Sequence, residues 1–342
     1  MANPSLFLSH GAPTLPLTDA AAAAFLGKLG GRLERPSAVL VISAHWETAQ
    51  PTVNAVSRNE TIHDFYGFPR PLYELRYPAP GAPDRATQIA ELLQAAGFDC
   101  KTDERRGLDH GAWVPLLLMY PGADIPVLEL SVQPQLGPAH HLRLGSALAP
   151  LRQDGVLIIG SGSLTHDLSE FRGQGVNAPA PAWVDEFADW FSARLREDRI
   201  DELLDYRRQA PYARKNHPTE EHLLPLFVAL GAGGEEARCE PLHVSVMHAI
   251  LRMDVYAFGP ESPCLARSAT ERAPAARCDR SRILSGFRFS FACASAPRSL
   301  RHHSLCPDLI VTCPAGTSRL TRTCPGKVEA GFLKRTCDRT RI

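Results

Sequence analysis

The sequence predicts an α/β fold in which strands alternate with helices and build one layered, mostly parallel sheet. Short runs rich in Val, Ile and Leu recur through the first 258 residues, and helical stretches separate them. The chain of 342 residues is long enough for one large domain or two smaller ones. The alternation stops near residue 259, which predicts a change of organisation there.

Four apolar runs have the length and composition of buried strands, at residues 5–9, 38–43, 125–131 and 155–159. Five further stretches predict helices, at residues 19–29, 83–96, 138–151, 182–195 and 218–230. The third opens with Pro138, which suits a first helical position. The fourth carries one aromatic stripe, made by Trp183, Phe187, Trp190 and Phe191. The segments 242–247 and 253–258 are predicted to be closing strands.

The chain is predicted to divide into a catalytic domain at residues 1–259 and a basic extension rich in Cys, Arg and Ser at residues 260–342. From residue 261 onward there are 15 Lys and Arg against 6 Asp and Glu, although the whole chain is formally neutral. No Cys-x-x-Cys pair occurs among the seven cysteines there, so a zinc knuckle is not indicated. We expect a disordered extension. A nucleic-acid-binding arm and translation in a wrong frame are the alternatives.

Histidines stand where the predicted strands end. His10 ends the first run, His45 ends the second, and His166 follows the fourth through the turn Gly-Ser-Gly-Ser. Ligands of open α/β sheets collect at the carboxyl ends of the strands, so these three are expected on one rim. His217 and His222 bracket the start of the fifth helix, and His110 lies in a predicted loop. Four further histidines that precede the extension are expected at the surface, namely His140, His141, His243 and His248.

This placement predicts a mononuclear metal site, because imidazole is the commonest metal ligand among side chains. The ligand chemistry leaves the metal open. Three histidines suit zinc, whereas two histidines and a carboxylate suit non-haem Fe(II), with Glu220, Glu221 and His222 as candidates for the third position. Residues 217–222 do not form a His-Glu-x-x-His motif, and residues 160–164 do not form Gly-x-Ser-x-Gly, so neither hydrolase signature is present.

Six motifs in order resemble the LigB-type class III extradiol ring-cleavage dioxygenases, and most closely the 4,5-DOPA dioxygenase branch. They are Ser-His-Gly-Ala-Pro (9–13), Ser-Ala-His-Trp (43–46), Ile-His-Asp-Phe-Tyr-Gly-Phe-Pro (62–69), Tyr-Pro-Ala-Pro-Gly (77–81), Gly-Leu-Asp-His-Gly-Ala-Trp (107–113) and Asn-His-Pro-Thr-Glu-Glu-His (216–222). The resemblance covers residues 5–258. It implies a three-layer αβα sandwich with a mostly parallel or mixed sheet and one divalent metal.

The resemblance also implies the roles of the histidines. His10, His45 and His222 would bind the metal, with Glu221 as the fallback for the third position. His166 would act in acid–base chemistry or as a fourth ligand, and His110 would be the second catalytic histidine.

The implied reaction is the opening of a catechol ring, DOPA-like, by O₂. Fe(II) would serve activity, and Zn(II) could occupy the same site. A zinc-dependent hydrolase and a non-catalytic metal-binding protein are the alternatives. Trp46, Phe65, Tyr66 and Phe68 are candidates for the wall of an aromatic pocket, with positions in the core as the alternative. No nucleic-acid partner is expected, and the oligomeric state is left open.

A cytoplasmic location is expected for two reasons. No apolar run approaches the roughly 20 residues that a bilayer span needs. The N-terminus also lacks the basic and apolar regions of a signal peptide.

Overall fold

In the computed structural model, which describes residues 3–235 and 237–260, eight strands form one mixed sheet. The ten strands of the described residues are β1 (Ser5–Ser9), β2 (Ala38–Glu47), β3 (Thr52–Asn54), β4 (Lys101–Asp103), β5 (Val127–Val132), β6 (Val156–Gly162), β7 (Arg238–His243), β8 (Val246–Met247), β9 (Leu251–Arg252) and β10 (Val255–Gly259). The order across the sheet is β4-β3-β5-β2-β6-β1-β10-β7, and β8 pairs with β9 separately.

The centre of the sheet is parallel, and an antiparallel pair joins each margin to it. Strands β5, β2, β6 and β1 pair in parallel, whereas β10 runs antiparallel to β1 and β7 antiparallel to β10. At the other margin β3 runs antiparallel to β5. The parallel centre places the ends of β1, β2 and β6 at one rim, as expected from the sequence.

Helices cover both faces of the sheet. They are α1 (Ala21–Leu29), α2 (Arg70–Glu74), α3 (Pro83–Ala95), α4 (His110–Met119), α5 (Gly137–Leu148), α6 (Ala182–Arg196), α7 (Ile200–Leu204), α8 (Tyr206–Gln209), α9 (Ala213–Asn216) and α10 (Leu224–Ala232). Alternate strand residues face opposite layers. Val41 and Ile159 pack in the core with α1 and α4, whereas Leu40 and Ile158 pack with α3 and α5. Phe7 packs with α6 and α10. The predicted three-layer αβα sandwich is confirmed.

The close approach of residues 222–225 to β6 depends on two glycines. A Cβ placed on Gly160 would lie 2.1 Å from the carbonyl oxygen of Pro225, and one on Gly162 would lie 2.0 Å from that of His222. No side chain fits at either position. The prediction of a tight turn at residues 160–163 was wrong, because Gly160 and Gly162 are the last part of strand β6.

Two helices differ from the predictions. The helix predicted at 218–230 begins only at Leu224, because turns occupy residues 218–223 and the carbonyl of His222 accepts a hydrogen bond from Ser163 N–H (2.8 Å) instead of continuing a helix. His110, predicted in a loop, is the first residue of α4. That helix is apolar nearly all round and contains Pro115, so it shows no amphipathic period.

The surface placement of His141 was also wrong. Its side chain is fully buried on α5, where Nδ1 donates to the Gly137 carbonyl (2.7 Å) and Nε2 accepts from Gln133 N–H (3.1 Å). Burial lowers the pKa of His141 to about 4. His140, His243 and His248 are half-buried, not fully at the surface. The extension predicted at 260–342 lies outside the described residues beyond Pro260, and the division into two regions stays a prediction.

A buried arginine joins the N-terminal segment to the end of α10. The Arg152 side chain donates from Nε to the Asn3 carbonyl (2.9 Å) and from Nη1 to the carbonyls of Ala232 and Gly233 (3.0 and 2.5 Å). The last two belong to the C-terminal end of α10, where a positive charge also complements the helix dipole. Burial lowers the pKa of Arg152. One guanidinium therefore satisfies three carbonyl groups from distant parts of the chain.

We expect Arg152→Ala to lower the free energy of unfolding by about 2–4 kcal/mol, because three buried carbonyl groups lose their donor. Urea unfolding of the full chain, followed by circular dichroism, measures this change. Arg208→Ala is the matched control. The Arg208 side chain is 80% exposed, so its loss should change stability by no more than about 0.5 kcal/mol. Equal effects of the two substitutions would contradict the role of Arg152.

Candidate metal centre

Three histidines from separate segments bring their ring nitrogens together. His10 follows β1, His45 lies in β2, and His222 lies in the turn before α10. Nε2 of His45 is 3.0 Å from Nε2 of His10 and 3.3 Å from Nε2 of His222. Each of these histidines thus offers one nitrogen to a common point.

The opposite nitrogens of two of these rings are held by hydrogen bonds. The Ser161 hydroxyl donates to the Gly111 carbonyl (2.5 Å), so it accepts from Nδ1 of His10 (3.1 Å). Nδ1 of His222 lies 2.9 Å from a carboxylate oxygen of Glu221, which can only accept. Both rings therefore carry their proton on Nδ1 and present the lone pair of Nε2 to the common point.

The donor set fits a divalent metal. Nitrogens bound to one ion at about 2.1 Å lie about 3.0–3.4 Å apart for bond angles between about 90° and 109°, which is the spacing found here. Burial, followed by repulsion from the neighbouring histidines, lowers the pKa of His10 and of His222 well below the usual value. Burial lowers that of His45 to about 4. All three rings are therefore neutral at neutral pH, the state in which imidazole binds metals.

His110 donates two hydrogen bonds to Asp64, a residue that was not predicted from the sequence as part of the site. One oxygen of Asp64 accepts from the His110 backbone N–H (3.0 Å), and the other accepts from His110 Nδ1 (2.8 Å). The second oxygen is also 3.6 Å from Nδ1 of His45. These bonds to His110 hold the pKa of Asp64 well below its usual range despite the opposing effect of burial. His110 thus keeps its proton on Nδ1 and has Nε2 available to the cavity.

His166 stands beside the converging histidines but is not one of the three. Its ring stacks on that of His222, with the centroids 3.4 Å apart and the planes 12° apart. Its backbone N–H donates to the Asn216 carbonyl (2.9 Å). Burial, followed by repulsion from His222, lowers the pKa of His166 well below the usual value. A second possible ligand group consists of His166, Glu221 and His222.

A cavity of about 240 Å³ opens over these histidines, somewhat below the range of about 300–1,000 Å³ typical of ligand pockets. Phe65, Tyr66 and Phe68 line it, as expected. Trp46 does not. Its indole is buried behind His45, with the Arg106 guanidinium 4.8 Å from the ring centroid. The interpretation of Trp46 as part of the pocket was wrong.

A buried carboxylate pair supports the start of α4 from behind. Asp109 accepts from the Ser43 hydroxyl (2.7 Å) and from Arg106 (2.7 Å), while its backbone N–H donates to Glu129 (3.0 Å). Burial, reinforced by Asp109, raises the pKa of Glu129 well above its usual range. Glu129, an acidic residue inside the largely apolar strand β5, is the sequence feature that could have indicated this network. The network itself was not predicted.

Comparison with known proteins decides the family. Residues 5–258 match the model described as the catalytic LigB subunit of aromatic ring-opening dioxygenase. The chain belongs to the LigB family. A 4,5-DOPA dioxygenase extradiol from Beta vulgaris is 47% identical over 258 residues, which are 74% of this chain and 96% of the relative. One from Escherichia coli (strain K12) is 39% identical over 247 residues, covering 71% and 89%.

A solved structure shares the fold of this chain. The crystal structure of an uncharacterised protein from Escherichia coli K12 has a TM-score of 0.62 and 32% identity, and it covers 75% of this chain and 99% of its own. The predicted LigB-type resemblance is confirmed, and the protein is a ring-cleaving extradiol dioxygenase. The LigB assignment implies a catalytic metal, a small-molecule substrate and O₂. It favours this activity over the zinc hydrolase and the non-catalytic alternative.

Within the part of the chain that the structure describes, every helix is too short or too polar to cross a bilayer. The cytoplasmic location stays a prediction.

We expect the metal-free protein to lose stability as the pH falls below about 6.5. Six buried or half-buried histidines have lowered pKa values in the folded protein, namely His10, His45, His141, His166, His217 and His222. The unfolded chain, with histidine pKa values of about 6.5, then binds more protons than the folded one, so unfolding becomes easier with falling pH. Thermal unfolding in EDTA should show a drop of at least about 3 kcal/mol between pH 6.5 and 4.5.

His141→Gln provides the matched variant for this titration, because His141 lies on α5 outside the cavity. Removing one of the six groups should make the stability curve shallower while leaving the other five in place. A melting temperature that stays constant from pH 6.5 to 4.5 would contradict the assignment of neutral buried histidines.

Proposed function

We propose that His10, His45 and His222 hold one divalent metal through Nε2 and that the enzyme opens the ring of a catechol, DOPA-like, with O₂. The observation that carries this proposal is the convergence of three Nε2 atoms at 3.0 and 3.3 Å. Hydrogen bonds to Ser161 and Glu221 support it, because they commit the other nitrogen of His10 and of His222. Glu221 accepts a hydrogen bond from Nδ1 of His222 and orients that ring, so the proposed third ligand is His222 and not Glu221.

The proposed active metal is Fe(II), and zinc could occupy the same three nitrogens. Bound Fe(II) would supply open coordination positions and electron density for O₂, whereas zinc would not supply the electron density. The residues of the chain supply binding, orientation and proton transfer.

His110 is proposed as one proton-transfer residue. Asp64 accepts hydrogen bonds from both the backbone N–H and the Nδ1–H of His110, so the ring cannot turn without breaking a hydrogen bond. Nε2 then remains as an acceptor for a proton from a catechol hydroxyl group. A positioned imidazole typically contributes about 10²–10⁴-fold in rate through such transfer.

His166 is proposed as the second proton-transfer residue. Its neutral ring lines the cavity and is fixed by stacking on His222. A neutral imidazole can accept a proton and later return it to the opened product. A fourth-ligand role is the alternative for His166, and metal content distinguishes the two roles.

The remaining walls would orient the substrate ring. Phe65, Phe68 and Leu168 line the cavity with apolar surface, which packs against an aromatic ring and excludes water. The relatives named 4,5-DOPA dioxygenase support a catechol with a DOPA-like substituent as the substrate.

Anaerobic loading with Fe(II), followed by air and a catechol, should give oxygen uptake and a ring-opened product. The oxygen electrode measures the uptake, and absorbance spectra follow the product. The same protein loaded with Zn(II) is the control and should consume no oxygen above background, because zinc does not transfer electrons. Absence of oxygen uptake with Fe(II) shown bound, across several catechols, would sink the proposal.

The histidines should separate into two classes on substitution. His10→Ala, His45→Ala and His222→Ala should lose most of the bound metal, whereas His110→Ala and His166→Ala should keep it and lose about 10²-fold or more in kcat. Elemental analysis and steady-state kinetics measure the two effects. His140→Ala, a half-buried histidine outside the cavity, is the control and should change neither. Loss of metal in His166→Ala would instead identify His166 as a ligand.

A further inference from the structure

The cavity carries one acidic side chain and no basic one among the described residues that line it. Asp64 is that acidic residue, while its other polar neighbours are histidines and Ser163. The rest of the lining is glycine, aromatic or aliphatic. Among the side chains of this lining, Asp64 is the one with a negative charge, so a charged substituent that lies away from the metal meets a carboxylate.

Asp64 has acceptor capacity left for a ligand. A carboxylate offers about four lone-pair positions. The two hydrogen bonds from His110 use one on each oxygen. The Asp64 side chain remains 22% exposed and lines the cavity. An ammonium group in the cavity could donate to the remaining positions without displacing His110.

Aromatic rings follow Asp64 directly along the chain. Phe65 and Phe68 meet edge to face, with their centroids 5.4 Å apart, and Tyr66 is 58% exposed. All three line the same cavity as Asp64. The faces of aromatic rings attract cations, so this wall adds to the attraction of the carboxylate for a positive group.

Basic side chains around the site are engaged by protein groups. Arg76, 3.3 Å from His63, donates to the carbonyls of Tyr73 and Leu75. Arg106 is ion-paired with Asp109 and Glu129 and stacks on Trp46, behind the cavity wall. Lys215 lies 3.5 Å from Glu170 and over the ring of Trp183. A carboxylate on the substrate would thus find Asp64, which repels it, and none of these cations.

We propose that Asp64 and the aromatic wall of Phe65, Tyr66 and Phe68 form a subsite for a positively charged amino group on the ring substituent of the catechol. The proposal rests on the proposed function and narrows its substrate class. Catechols with an ammonium group are preferred, with or without a carboxylate beside it. Catechols whose only charge is a carboxylate are disfavoured.

Three catechols that differ in one group each test this selectivity in the Fe(II)-loaded full chain. They are L-DOPA, dopamine, which lacks the carboxylate, and 3-(3,4-dihydroxyphenyl)propanoate, which lacks the ammonium group. We expect kcat/KM for the propanoate to be at least about tenfold below the values for both amines, and dopamine to stay within about threefold of L-DOPA or above it. A propanoate value within about threefold of L-DOPA overturns the proposal.

The same three compounds also separate this proposal from the proposed function. Oxygen uptake with any of them supports ring opening, and only their ranking tests the subsite. If none is turned over, anaerobic calorimetry on the metal-loaded protein still ranks their binding. A propanoate Kd at least about tenfold weaker than that of dopamine supports the subsite. Equal Kd values, or no binding of any catechol, overturn it.

A charge introduced at the cavity rim gives a second test. Tyr66→Arg places a cation beside the carboxylate of Asp64, at a position exposed enough to accept it. The ratio of kcat/KM for propanoate to that for dopamine should rise at least about tenfold. Tyr66→Gln is the matched neutral control and should leave this ratio within about threefold of the wild-type value. An unchanged ratio in a folded Tyr66→Arg variant contradicts the proposal, and the wild-type ranking decides if that variant does not fold.

Discussion

The close contact between strand β6 and the segment 222–225 is the constraint on which the site depends. Gly160 and Gly162 leave no Cβ, so the carbonyls of Pro225 and His222 lie where side-chain atoms would otherwise stand. The contact brings His222 to His45 across 177 residues of sequence. It also allows the Ser163 N–H to donate a hydrogen bond to the His222 carbonyl, in the turn before α10. Any larger residue at Gly162 would push His222 away from the other two histidines.

Collecting so many imidazoles in one buried place has a cost in free energy. Burial disfavours the protonated form of each ring, and each neighbouring ring adds to the effect. The fold offsets this cost by giving the outward-facing nitrogens partners, Ser161 for His10 and Glu221 for His222. These partners also fix which nitrogen faces inward. Burial therefore sets the charge state of these rings, and their hydrogen-bond partners set their orientation.

Much of the fold could be predicted from the sequence, because strand length and apolar composition are local properties. The positions of His10 and His45 followed from strand ends, and that of His222 from the resemblance. The partners of these residues could not be predicted from pattern alone. His10 and Ser161 are 151 residues apart, and Asp64 and His110 are 46 apart, so only the folded chain joins them. Helix α4 was missed because burial on all sides removes the amphipathic period.

The segment that carries Asp64 also carries Phe65, Tyr66 and Phe68, and it is anchored to the rest of the domain by backbone contacts. The Ile62 carbonyl accepts from the Trp113 indole (2.9 Å), and Ile62 N–H donates to the Leu108 carbonyl (2.8 Å). The residues that wall the cavity and the carboxylate that holds His110 therefore belong to one segment of the chain. A backbone change in residues 62–68 would therefore alter the wall of the cavity and the orientation of His110 together.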